Sequence, residues 1–137
     1  MQFYSTNRKT SPVSLREAVV RGLAADRGLF MPEVIRRFPP AFYQNMKEMT
    51  LREISFVVAE AFFGEDVEAG KLKEIVDETL NFDIPLVQVA DNRYSLELFH
   101  GPTLAFKDVG ARFMARLLAY FNKQEGERQV NVLVATS

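Results

Sequence analysis

The spacing of apolar residues divides the chain into two parts with different periods. Up to about residue 81, apolar side chains recur every three or four positions, which is typical of amphipathic helices. The clearest example comprises Leu72, Ile75, Val76 and Leu80. Further along, apolar and polar residues alternate in two short runs, 85–89 and 94–99, that flank Asp91 and Asn92. Two alternating runs around turn-forming residues predict a β-hairpin.

Capping residues mark the starts of two predicted helices. Ser14 precedes Glu17 by three positions, and Thr50 precedes Glu53 in the same way, which predicts a capping box at both helix starts. Gly64 is expected to end the second helix. Short strands are predicted at 2–6 and 29–31, and a helical turn from residue 39. We interpret residues 1–81 as a small, mainly helical unit that serves as a scaffold.

The C-terminal third predicts a strand, a loop, a helix and a buried strand, which is half of an α/β layer. The helix, about Gly110 to Lys123, carries apolar residues almost all the way round, so we expect it to be deeply buried. Val130 to Ala135 is typical of a strand buried on both faces. Such a strand at a chain end leaves the sheet open. We therefore expect the chain to be the front part of a longer protein, and the isolated piece to be unstable or to self-associate.

The amino-acid composition limits which classes of protein and which catalytic groups are possible. The 137 residues are 47% apolar and 26% charged, with 12 Phe, no Cys, one His and a net charge of −1. This excludes a disordered chain, and the lack of a basic block argues against a nucleic-acid partner. No apolar run is long enough for a membrane span, and the N-terminus lacks a signal peptide, so we expect a cytoplasmic protein. Disulfides, cysteine chemistry and a His-based metal site are excluded, which leaves carboxylates, hydroxyls, lysine or a cofactor.

The candidate chemical group is Lys107, which lies in the loop between the predicted hairpin and helix. A cation at a helix start faces the positive end of the helix dipole, and the preceding apolar residues 104–106 would exclude water. Both effects favour the neutral amine, which is a Schiff-base nucleophile. The alternative is that Lys107 is solvated beside Asp108 and the pair only begins a helix.

Four residues near Lys107 allow similar alternatives. Asp108 is placed to cap the helix, which would also position the loop, and His100 is expected to form a loop hydrogen bond rather than to act as a base. The hydroxyl of Thr103 could contact a ligand or only satisfy the turn. Gly110 would permit close approach of a cofactor ring to the first helical turn, although a core helix explains it equally well.

The segment around Lys107 resembles the pyridoxal-phosphate lysine segment of the threonine synthase family. It reads Leu96-Glu97-Leu98-Phe99-His100-Gly101-Pro102-Thr103-Leu104-Ala105-Phe106-Lys107-Asp108 and continues through Gly110 and residues 112–115. Residues 13–18, 22–24 and 28–32 are similar to the N-terminal domain of that family, although Arg27 stands where a second Gly is common. A related dehydratase is disfavoured because it is not expected to share that domain.

The resemblance implies a fold and a reaction. The fold would be α/β, with a small helical N-terminal domain at 1–81 and, at 82–137, the truncated start of a catalytic domain of the tryptophan-synthase β-like group. The reaction would convert O-phospho-L-homoserine and water to L-threonine and phosphate, with pyridoxal 5′-phosphate as cofactor. Lys107 would be the catalytic residue that holds the cofactor, and Thr103, Thr136 and Ser137 would contact the substrate. The chain alone is expected to be inactive; the alternative is a non-catalytic binding or assembly module.

Overall fold

A small antiparallel sheet organises the N-terminal part of the chain. The computed structural model describes residues 1–124, 126 and 129–132. Strand β1 (Gln2–Ser5) is central and pairs with β2 (Val13–Ser14) on one side and β3 (Phe30–Pro32) on the other. Phe3 and Ser5 point into the protein, as expected from the period of two.

Five α-helices follow the predicted order. They are α1 (Leu15–Arg21), α2 (Pro40–Asn45), α3 (Leu51–Phe63), α4 (Ala69–Thr79) and α5 (Lys107–Gln124), with a 3-10 turn at Met46–Glu48 after α2. The capping box at α3 is confirmed, since Thr50 and Glu53 each accept a hydrogen bond from the other's backbone N–H. The box at α1 is only half formed: Ser14 accepts from the Glu17 N–H, but the Glu17 carboxylate pairs with Arg21 instead.

One hydrophobic core joins the helices to the sheet, and α5 belongs to it. Its best-buried members include Leu15, Val67, Leu72, Val76, Leu117 and Phe121. Leu117 and Phe121 come from α5 and place that helix against α1 and α4. The start of α5 is therefore fixed relative to the helical unit.

The predicted hairpin is confirmed. Strand β4 (Leu86–Ala90) pairs with β5 (Arg93–Leu96), and the turn uses Asn92 with a φ of 56°. Asparagine tolerates this left-handed conformation better than most residues. Every residue of β4 is exposed, so this strand is not part of the hydrophobic core of the described chain.

Two expectations about burial concern α5 and the predicted strand at 130–135. Helix α5 is not deeply buried: only Asp108, Leu117 and Phe121 are, because the described chain packs against a single side of the helix. Residues 130–132 lack strand structure, and Val132 is 69% exposed. The remainder of the predicted strand, 133–135, lies outside the described residues. The division at residues 81 and 82 stays a prediction.

Within the described ranges, no helix has the length and apolar character needed to cross a bilayer. The same ranges contain no cluster of acidic and His side chains suited to a metal ion.

Candidate functional site

Lys107 is the first residue of α5, and the loop before it connects that helix to the β4–β5 hairpin. The helix begins three residues earlier than the apolar pattern indicated. Its first turn is initiated by the Asp108 N–H, which donates to the Ala105 carbonyl at 3.0 Å. A carboxylate in the first turn also interacts favourably with the helix dipole. The chain thus enters the helix at the candidate lysine itself.

The Lys107 amine is exposed and, among the described residues, has neither an ion-pair nor a hydrogen-bond partner. In the described chain Lys107 is solvated beside Asp108 at the helix start, as the alternative interpretation expected, although the Asp108 side chain itself is buried and bonds to the loop. The predicted exclusion of water is wrong for the described chain. Leu104 and Phe106 are 75% and 64% exposed, because no described element covers them.

Asp108 fastens the loop in front of Lys107. Its Oδ1 accepts a hydrogen bond from the Thr103 hydroxyl at 2.6 Å, and its Oδ2 accepts from the Thr103 N–H at 2.9 Å. The Thr103 hydroxyl lowers the pKa of Asp108 most, and the backbone N–H groups of Thr103 and Ala105 and the Arg112 charge lower it further. Burial opposes this shift without reversing it. The carboxylate is therefore ionised at neutral pH.

The turn preceding Thr103 requires a residue without a side chain. A Cβ at Gly101 would lie 2.4 Å from Asp108 Oδ2 and 2.9 Å from Asp108 Cβ. The loop closes with the Leu104 N–H donating to the Gly101 carbonyl at 3.0 Å, and Leu104 adopts a φ of 58°. A non-glycine residue seldom takes this left-handed conformation, so the surrounding contacts hold it there.

His100 forms a hydrogen bond within the loop, as predicted. Its Nε2 lies 2.7 Å from Glu97 Oε2, and its ring lies against Phe99 with centroids 4.8 Å apart. The Glu97 N–H in turn donates to the Pro85 carbonyl at 2.9 Å. His100 is therefore tied to the base of the hairpin.

The sequence-predicted substrate contacts have different outcomes. Thr103 lies on the exposed loop, but its hydroxyl hydrogen is used by Asp108, so toward a ligand this oxygen is an acceptor only. Thr136 and Ser137 lie outside the described residues.

Sequence reasoning missed the two arginines that hold α5 in place. Arg112 donates to the Glu78 carbonyl at 2.6 Å and to the Thr79 carbonyl at 3.2 Å, which are free carbonyls at the end of α4. Arg116 pairs with the Glu78 carboxylate at 2.7 Å. Their i, i+4 spacing was the available signal, because it puts both guanidinium groups on one face of the helix.

An apolar groove of about 450 Å³ opens beside the first turn of α5. Phe106, Val109, Gly110 and Phe113 line it on the side of the lysine helix, and Leu80 and Ile84 line the other side. A Cβ built at Gly110 would meet no atom within 4 Å, so the backbone is accessible there. The site combines an unpaired amine, a fixed loop and an open apolar wall.

Comparison with known proteins identifies the family. Residues 2–80 match the family model described as the N terminus of threonine synthase. The threonine synthases of Serratia marcescens and Escherichia coli K12 are 39% and 36% identical over the whole chain. The chain spans 31% of the length of each of them.

Solved structures give the same result. The crystal structure of pyridoxal-phosphate-bound threonine synthase from Brucella melitensis aligns with 93% of the chain at a TM-score of 0.87 and 34% identity. That of Escherichia coli threonine synthase aligns with 88% at a TM-score of 0.83 and 36% identity. These alignments use 29% and 28% of the two structures. The chain belongs to the threonine synthase family and corresponds to its N-terminal part.

Proposed function

We propose that the chain is the N-terminal part of a threonine synthase in which Lys107 binds pyridoxal 5′-phosphate. The observation that carries the proposal is the exposed Lys107 amine, which has no ion-pair or hydrogen-bond partner among the described residues and lies at the junction of a fixed loop and α5. Family membership supports it, and a bound cofactor is present in the Brucella melitensis relative. The residues 82–137 would then begin the catalytic domain, after a helical domain at 1–81.

The residues present fit this cofactor. Covalent attachment needs an amine that is not engaged in a salt bridge, and Lys107 meets that condition among the described residues. Lys71 and Lys73, by contrast, pair with Glu74 and Asp77 at 2.6 Å. A planar ring also needs backbone that it can approach, and the open face at Gly110 provides it.

We further propose that the substrate is O-phospho-L-homoserine, which reacts with water to give L-threonine and phosphate. When bound, the cofactor supplies an electron sink for the negative charge that develops on the substrate carbon. The Lys107 amine attaches the cofactor and, once released by the substrate, moves protons at the α and β carbons. The Asp108-anchored loop orients this amine, and the apolar groove lies along the same first turn of α5.

The 137 residues alone are proposed to be inactive. They span about a third of the length of the curated relatives. In the described chain Leu104 and Phe106 are exposed, so they do not shield the neighbouring Lys107 from water. Further polypeptide that covers residues 104–107 would exclude water from Lys107 and complete the substrate site.

The test is made on the full-length protein. Purified with pyridoxal 5′-phosphate, it should show the visible absorption band of a lysine-bound cofactor, and borohydride should fix the cofactor to Lys107 in peptide mass spectra. Release of phosphate from O-phospho-L-homoserine should be lost in Lys107→Ala and retained in Lys123→Ala, a lysine on the same helix.

Two outcomes would contradict the proposal. Retention of both the band and phosphate release by Lys107→Ala would show that another residue holds the cofactor. A full-length wild type that forms no adduct at Lys107 would favour the non-catalytic alternative.

A further inference from the structure

The side chain next to the candidate lysine points in the opposite direction. Lys107 faces solvent, whereas Asp108 is 4% exposed and both of its carboxylate oxygens accept hydrogen bonds from Thr103. Hydrogen bonds to an ionised carboxylate are stronger than neutral ones. The charged Asp108 carboxylate therefore interacts with the loop rather than with Lys107, whose amine has no partner among the described residues.

The fit of Gly101 against the same carboxylate shows that the loop is built around Asp108. The backbone of Gly101 passes so close that a Cβ would overlap Oδ2, and a turn back to Leu104 follows at once. Non-glycine residues seldom adopt the left-handed backbone seen at Leu104, and it persists only when its surroundings hold it. The Asp108 carboxylate supplies that constraint from the first turn of α5.

The direction of α5 is fixed independently of Asp108. Arg112 and Arg116 bind α4, and Leu117 and Phe121 lie in the core. Removing the carboxylate would therefore free the loop and the first turn of α5, which carries Lys107, but leave the rest of the helix in place. This separation lets an experiment distinguish loop positioning from general stability.

We propose that Asp108 is a positioning residue: its carboxylate holds the Gly101–Thr103 segment against the first turn of α5 and so fixes the chain on which the Lys107 amine is presented. Thr103 acts in this arrangement as the partner of Asp108 rather than as a substrate donor. This inference rests on the proposed function of Lys107.

The test uses Asp108→Asn and Thr103→Val, which remove the charge or the hydroxyl at nearly constant volume. Thr103→Ser restores the hydroxyl, and Asp91→Asn alters an exposed hairpin carboxylate as the control. In the full-length protein, titration with pyridoxal 5′-phosphate should show affinity at least tenfold weaker for the first two variants, with a shifted visible band. Thr103→Ser and Asp91→Asn should match wild type.

A second measurement is independent of cofactor. In the full-length protein without added cofactor, amide hydrogen exchange at Thr103 and Leu104 should accelerate at least tenfold in Asp108→Asn and Thr103→Val, while exchange in α4 stays unchanged. Wild-type cofactor affinity and band position in both variants would overturn the inference, whatever their unfolding midpoints.

Failure of the proposed function gives a different pattern. If wild-type protein shows no Lys107-bound cofactor, the role of Lys107 is refuted and the positioning of a catalytic amine with it. Unchanged exchange at Thr103 in Asp108→Asn would instead overturn the claim that Asp108 holds the loop, even where the cofactor band is present.

Discussion

The packing of α5 on the helical unit determines where Lys107 sits, and Leu117→Ala tests that packing. Leu117 is 3% exposed and belongs to the core shared by α1, α4 and α5. Truncating a buried Leu to Ala removes its transfer free energy and leaves a cavity, which together cost about 2–5 kcal/mol. That is a large part of the roughly 5–15 kcal/mol by which such domains are stable.

The matched control lies one helical turn away. Met114 is 44% exposed, so Met114→Ala should cost less than about 1 kcal/mol. Urea unfolding followed by circular dichroism at 222 nm should show a lower midpoint for Leu117→Ala with an unchanged slope. At about 3 °C for each kcal/mol, its melting temperature should fall by roughly 6–15 °C.

Two results would refute the reasoning. Equal losses in Leu117→Ala and Met114→Ala would mean that α5 does not pack through the face described. A loss below about 1 kcal/mol in Leu117→Ala would mean that the helix is held by its arginines alone.

Three further predictions concern residues outside the candidate site. Thr50→Ala should destabilise the chain by about 0.5–2 kcal/mol in urea unfolding, because it removes a capping hydroxyl, whereas Thr50→Ser should not. The hydrogen bond from the Ser5 hydroxyl lowers the pKa of Asp26 more than any other contact does. The ionised Asp26 carboxylate should therefore contribute its full stabilisation above about pH 4, and this contribution should be lost as the pH falls further. Asp26→Asn should flatten that part of the stability–pH curve, and an unchanged curve would contradict the assignment. The exposed apolar hairpin should make the 137-residue chain self-associate in sedimentation velocity, and Val89→Lys should weaken this.

Local signals predicted the elements of the fold well. Thr50 with Glu53, Gly64 after α3 and Asn92 in the hairpin each act through neighbouring residues, and each is found where its chemistry places it. The half-formed box at Ser14 shows the limit of such signals. Glu17 has a competing partner in Arg21 one turn later, and the pattern does not rank the two contacts.

Burial could not be predicted from the same signals. The apolar circumference of α5 indicates how much surface the helix can bury, but not how much polypeptide is present to cover it. In the described chain only one side is covered, so Met114 and Ala115 are exposed. The expected exclusion of water from Lys107 is wrong for the same reason, since no element of the described chain covers Leu104 and Phe106.

Asp108 shows a third kind of limit: the sequence predicted that it caps the helix and positions the loop, but its carboxylate binds Thr103 of the preceding loop instead of capping α5. A carboxylate at that position could stabilise the helix dipole, pair with Lys107 or bind the preceding loop, and local sequence permits all three. The structure selects the loop because Gly101 leaves room for the carboxylate and Thr103 offers it two donors. Gly101→Ala should therefore reproduce the loop defect of Asp108→Asn in amide exchange at Thr103, although it alters no charge and no hydrogen-bonding side chain. If Gly101→Ala left that exchange unchanged, the close approach of Gly101 to Asp108 would not be what orders the loop.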